Sequence, residues 1–200
     1  MLRRASELNG YTLSARDGKI GTVGDFYFDD RRLMVESLVA HTGNWLSDRL
    51  VLIPSASLHP ANHDDRSIPV DLTMQEIANS TSPPIGPPSK HPPHLRGMYA
   101  MTGCHIHAQD AEFGHVEDFV IDDETWMIRY LIVDTRNWWP GKRVLVSPQW
   151  IERVNWTDSK IYVTLHRDTI EQAPEYAADA PITREYEAAL YRHYQGERYW

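Results

Sequence analysis

The chain contains one stretch twice, and this constrains its fold more than any other feature. The first copy carries Gly21, Val23, Asp25, Phe26, Asp29, Asp30, Met34, Leu38, Thr42, Asn44 and Trp45. The second carries Gly114, Val116, Asp118, Phe119, Asp122, Asp123, Met127, Leu131, Thr135, Asn137 and Trp138. The offset is the same at both ends (114 − 21 = 93 and 138 − 45 = 93). The register runs without a gap from Gly10 and Gly103 to Ile77 and Ile170, with about a third of the paired positions identical. A constant offset over so long a stretch is internal duplication. The 200 residues therefore divide into two modules of about 70 residues, a size at which one hydrophobic core is only marginally stable.

Within each copy the dominant period is two. From 20 to 29, Ile20, Thr22, Phe26 and Phe28 are expected on one face of a strand, with Val23, Asp25 and Tyr27 on the other. Asp29-Asp30-Arg31-Arg32 breaks the pattern as a turn, and 33–40 is a nearly continuous apolar strand. Short strands are also expected at 10–13, 49–54 and 67–72, with a loop at 42–48. Thr73 and Glu76 form a capping box that opens a short helix, and the second copy is expected to start its helix at Asp168. Many short strands closed by one short helix suggest a small barrel.

The expected organisation is a first barrel at 1–80, a proline-rich linker at 81–97, a second barrel at 98–175 and a helical tail at 176–200. Six of the thirteen prolines fall in the linker, which favours extended polyproline geometry and a semi-rigid spacer. Thr183 is expected to cap a tail helix running to about Gln195, with Tyr186, Leu190 and Tyr194 on one face.

Charge and cysteine content bound the function. A formal charge of −8 argues against nucleic acid or an anionic membrane as the main partner. Cys104 is the only cysteine, so no intrachain disulfide forms and a reducing compartment fits. No run of about 18 apolar residues occurs and no secretory signal opens the chain, so the expectation is a soluble cytoplasmic protein.

Both copies resemble the PRC-barrel family, shared by the cytoplasmic part of the photosynthetic reaction-centre H subunit and by a ribosome-maturation factor. The resemblance rests on Gly21, Val23, Asp25 and Phe26 with Gly114, Val116, Asp118 and Phe119, on the Asp-Asp turns, and on the Asn-Trp loops with the strands that follow. It implies SH3-like β-barrels used for protein contacts or assembly, with no defined reaction. The sequence departs from the H subunit in lacking its membrane helix, and from the maturation factor, whose barrel follows a different N-terminal domain, so no functional residues carry over.

The motifs themselves point to few sites. His105 and His107 lie two apart on one expected strand, a metal-ligand spacing, with no matching carboxylate or third histidine evident nearby. Paired carboxylates at Asp29-Asp30 and Asp122-Asp123 read as turns, because adjacent strand residues diverge. Asp25 and Asp118, inside apolar strands, read as caps for backbone amides. No phosphate loop or serine–histidine–acid order is present, and no cofactor is expected.

Two surfaces are candidates for protein contact. Met34, Glu36 and Leu38 share a strand face with their counterparts Met127, Arg129 and Leu131, and an inter-barrel interface that brings Glu36 to Arg129 is one expectation. The loops at Trp45-Leu46 and Trp138-Trp139 serve either as core caps or as contacts to a partner or a second copy. The leading expectation is a non-enzymatic adaptor with protein partners. The rivals are a metal-binding protein or enzyme built on His105 and His107, and a soluble H-subunit-like factor that assists a membrane complex.

Overall fold

A computed structural model of the chain describes residues 1–84, 94–135 and 141–200. In chain order, the first copy supplies β1 (Leu2–Arg4), α1 (Ala5–Leu8), β2 (Thr12–Ala15), β3 (Gly18–Asp29), β4 (Met34–His41), β5 (Leu50–Pro54), β6 (Ser67–Pro69) and α2 (Met74–Ala78). There follow β7 (Leu95–Gly97), α3 (Met98–Met101), β8 (His105–His107), β9 (Glu112–Asp122), β10 (Met127–Asp134), β11 (Arg143–Val146), β12 (Ile151–Asn155), β13 (Lys160–Val163), α4 (Arg167–Glu171) and α5 (Arg184–Tyr194). The protein is mainly β, with short helices and one longer C-terminal helix.

Two compact units result. The first comprises Met1, 3–100 and 121–128; the second comprises Leu2, 101–120 and 129–200. In the first, β2 pairs antiparallel with β3 and parallel with β6, and β3, β4 and β5 follow as antiparallel neighbours. The second repeats this ladder as β13, β8, β9, β10 and β11. The described pairings include none between β5 and β6, so the first ladder is not closed. Residues of both faces are fully buried, including Leu13, Ile20, Phe28, Leu38 and Ile53 in the first unit and Ile106, Tyr130, Leu131 and Ile161 in the second.

The duplication extends to individual hydrogen bonds. Thr42 Oγ1 donates to the Arg49 carbonyl, and Thr135 Oγ1 to that of Lys142, both at 2.7 Å. Asp17 Oδ1 accepts the Met74 amide at the head of α2, as Asp110 Oδ1 accepts the Arg167 amide at the head of α4. Gly21 and Gly114 both take positive φ, at 133° and 66°, where the backbone passes the end of the neighbouring strand. A Cβ at Gly21 would strike the His41 carbonyl, and one at Gly114 the Asp134 carbonyl. Both positions therefore require glycine on two counts, left-handed backbone and close approach.

Several sequence expectations are corrected. The strand expected from residue 10 begins at Thr12, because Gly10 adopts positive φ while its amide bonds the Val23 carbonyl. Face alternation fails along β3: Phe26, Tyr27 and Phe28 are all buried, and the β3–β4 register shifts at Val23/Asp25 and at Tyr27/Phe28. Bulges re-aim side chains in this way, so a simple period of two misplaces them. The strand expected at 67–72 ends at Pro69, and α4 is capped at His166 rather than Asp168. The elements β1 and α1 had no sequence signal. Most of the proline linker (85–93) lies outside the described residues, but its end forms β7, paired with β3.

Thr73 accepts the Glu76 amide while Glu76 accepts the Thr73 amide, so the capping box forms as expected. Thr183 likewise caps α5. The buried face of α5 also carries Glu187, only 1 % exposed. Its carboxylate accepts the hydroxyls of Tyr130 and Tyr199, both at 2.7 Å, and pairs with Arg184 at 2.9 Å. Burial, followed by that hydrogen bond, pushes the Tyr199 phenol up to about 12. Trp150 packs against Tyr194 and Tyr191 to complete the seat.

If close approach and positive φ make Gly21 and Gly114 obligatory, Gly21→Ala and Gly114→Ala should each cost more than ~2 kcal/mol in urea unfolding. A loss well under ~1 kcal/mol at either site would show that the strand ends relax around a methyl group.

Candidate functional site

Asp25 sits in an otherwise apolar stretch of β3, and the chain answers that placement with backbone donors. Its Oδ1 accepts the amide of Phe26 at 2.8 Å and the amide of Tyr99 at 3.2 Å. The second bond exists because β7 pairs with β3, with Gly97 opposite Tyr27, and so brings the start of α3 to Asp25. Gly97 permits this packing. A Cβ there would lie 2.9 Å from Asp25 Oδ2 and 3.5 Å from Tyr27 Cζ, so the carboxylate and the phenol ring share its bare face.

Asp25 and Tyr27 line a cavity of about 290 Å³ in the first unit, together with Gly24, Val39 and His41. Its remaining lining comes from Leu50, Pro83, Pro84 and Tyr99. Tyr99 is 83 % exposed and Leu50 36 %, which makes them two of the four exposed large apolar side chains among the described residues. Among those residues Asp25 forms no ion pair, and the two amides are its hydrogen-bond donors. Burial pushes its carboxyl from 3.8 up to about 6, against the lowering effect of the amides. The Tyr27 phenol is raised as well, by burial first and by Asp25 second.

The second copy keeps the aspartate and changes its surroundings. Asp118 Oδ1 accepts the Phe119 amide at 2.8 Å, as Asp25 does for Phe26. The counterparts of Gly24, His41 and Leu50 are Glu117, Asp134 and Arg143. Arg143 Nε donates to Glu117 Oε2 at 2.5 Å, so an ion pair stands where the first copy has a glycine and a leucine. In the first copy a Cβ on Gly24 would collide with the His41 imidazole. No motif marks this cleft, since its lining is scattered over 24–99. The visible signal was the set of positions at which one copy is small or apolar and the other charged.

The sequence-derived candidates fall in several places. His105 is exposed on β8, with Nδ1 3.2 Å from Glu112 Oε1, while Glu112 Oε2 pairs with Lys160 at 3.0 Å. That lysine is the main cause of the lowered Glu112 carboxyl. His107 instead stacks on Tyr162, with ring centroids 5.0 Å apart. Glu112, seven residues beyond His105, is thus the carboxylate that the β8–β9 hairpin folds back beside it. Among the described residues no three His, Cys, Asp or Glu side chains gather as a metal set.

Trp45 is half-buried, and its Nε1 donates to the Ile20 carbonyl at 2.7 Å; Leu46 is half-buried beside it. Trp138 and Trp139 lie outside the described residues. Leu38 and Leu131 are fully buried, Glu36 is exposed, and the Arg129 guanidinium lies 4.1 Å from the Tyr199 ring centroid. Met34 pairs with Met127 within the first unit. The Asp-Asp pairs are turns: Asp29 Oδ1 accepts the amides of Arg31 and Arg32, and Asp122 accepts the Glu124 amide and the Thr125 hydroxyl. Their neighbours bind side chains, with Asp30 on His94 and Arg96 and Asp123 on His63. Cys104 is buried, which raises its thiol.

Comparison with known proteins agrees with this architecture. The profile of the PRC-barrel domain matches twice, at residues 2–73 and 103–170. An uncharacterized protein of Deinococcus radiodurans is 30 % identical over 115 residues, covering 57 % of this chain and 38 % of the relative. The match therefore spans well under half of that relative's length. Among the described residues no helix is long and apolar enough to cross a membrane.

The raised Asp25 carboxyl has a signed consequence for stability. Between pH 3.8, where the free group titrates, and about pH 6, where the native one does, the folded state holds the extra proton. Stability is therefore lost as pH rises through that window. Asp25→Asn keeps the Oδ1 acceptor and removes the charge, so it should stabilise the protein at pH 8 by on the order of 2 kcal/mol and leave it unchanged below pH 4. Thermal melts across pH check this; a destabilised variant at pH 8 would contradict it.

Proposed function

From the premise that the chain belongs to the PRC-barrel family, whose domain profile it matches twice, we propose that it is a non-enzymatic adaptor that binds protein. The observation that carries this reading is the cleft of the first unit, with Leu50 and Tyr99 exposed at its lining. Exposed aromatic and aliphatic side chains around a concavity are the composition of an interaction hot spot, since burying them against a partner removes apolar area from water. The net charge of −8 directs such a surface toward neutral or basic proteins rather than nucleic acid. The buried single cysteine accords with a reducing compartment such as the cytoplasm.

The test is a pull-down from native lysate with the wild-type chain and with Leu50→Ser/Tyr99→Ser as baits. Both replaced side chains are exposed, so the variant should keep its melting temperature. The expected result is a partner retained by the wild type and lost by the variant. Light scattering of both proteins identifies the case in which that partner is a second copy. Identical retention by the two baits would refute the adaptor reading at this surface.

A further inference from the structure

The cleft has a chemistry more specific than exposed apolar area. We propose that it receives a basic side chain, arginine in preference to lysine, from a partner polypeptide; this rests on the adaptor reading. Several observations support it. Asp25 brings a carboxylate into the cavity with Oδ1 committed to two amides, so the group keeps acceptor capacity on Oδ2. The described residues supply no cation to it, and a carboxylate withdrawn from water without a counter-ion is a standing cost that an incoming cation relieves.

The other lining groups select the type of cation. Tyr27 and Tyr99 give aromatic surface beside the carboxylate, and Leu50 with Pro83 and Pro84 gives apolar surface for an aliphatic stem. A guanidinium is planar, weakly hydrated and able to stack while it donates, which suits this combination better than an ammonium does. A cavity of about 290 Å³ accepts one long side chain but lies at the lower limit for a whole small-molecule ligand. The exposed Tyr99 and Leu50 then meet the residues flanking the arginine.

The second copy serves as an internal control. At the positions of Gly24 and Leu50 it carries Glu117 and Arg143, whose mutual ion pair places a guanidinium of the chain's own in the corresponding region. That ion pair stands at the positions held by Gly24 and Leu50 in the first copy. The open copy is the one poised for a guanidinium from outside.

The experiment uses the full chain and three probes in fluorescence anisotropy at pH 7.5 and low salt: a labelled pentapeptide with arginine between two leucines, the same peptide with neutral citrulline in place of arginine, and labelled acetyl-arginine amide. The arginine peptide should bind about tenfold or more tighter than the citrulline peptide, the scale of one charge-assisted hydrogen bond. Asp25→Asn should erase that ratio while remaining folded. Gly24→Glu/His41→Asp/Leu50→Arg, which installs the residues of the second copy, should abolish binding with the melting transition preserved. Equal binding of the two peptides, or undiminished binding by the triple variant, overturns the inference. Acetyl-arginine amide binding as tightly as the peptide also overturns it, in favour of a small-molecule site. If the Leu50→Ser/Tyr99→Ser bait loses its partner while the two peptides bind alike, this inference fails and the adaptor reading stands.

Discussion

A carboxylate within an apolar strand is the feature around which each copy is arranged. Asp25 and Asp118 both accept the amide of the residue that follows them. In the first copy this lies beside the register shift between Val23 and Asp25, where the regular ladder is interrupted. A backbone amide left there without an acceptor would cost as much as a lost hydrogen bond, and the aspartate supplies one locally. The aspartate is therefore structural before it is anything else. The residues around that charge differ between the two copies.

The differences follow from a few substitutions on a shared frame. Thr42 and Thr135 make the same hydrogen bond, as do Asp17 and Asp110, so the backbone scaffold has been kept. Against that constancy, Gly24 and Leu50 correspond to Glu117 and Arg143, and a space in one copy corresponds to an ion pair in the other. Half-buried ion pairs of this kind add little stability, because desolvation offsets much of the attraction. Their effect on binding is larger, since they decide whether a foreign cation finds an acceptor. The second unit also seats α5, through Glu187 and the tyrosines around it, so the two units differ in covering as well as in charge.

Much of the architecture was readable from residue order. The duplication follows from a constant offset, and the start of α2 from Thr73 and Glu76. The tail helix follows from Thr183 and an i, i+4, i+8 row of large side chains. Glu187 was unreadable because its partners Tyr130 and Tyr199 come from other segments. Glu112 was missed as the partner of His105 because a hairpin, rather than adjacency in sequence, brings them together. The face assignment along β3 failed at its bulges. The cleft was hidden for a different reason: its key residues are glycines and a leucine, and a space has no motif. Aligning the copies for charge differences as well as identities would have marked positions 24, 41 and 50.

The account depends on Asp25 being a withdrawn carboxylate with no counter-ion among the described residues. The most direct test is a carbon-detected NMR titration of the Asp25 side chain in the intact protein. The account predicts a midpoint raised from the ordinary 3.8 to about 6. A midpoint at or below 3.8 would mean that water or a cation already satisfies the group, and the case for a site awaiting a basic side chain would fall.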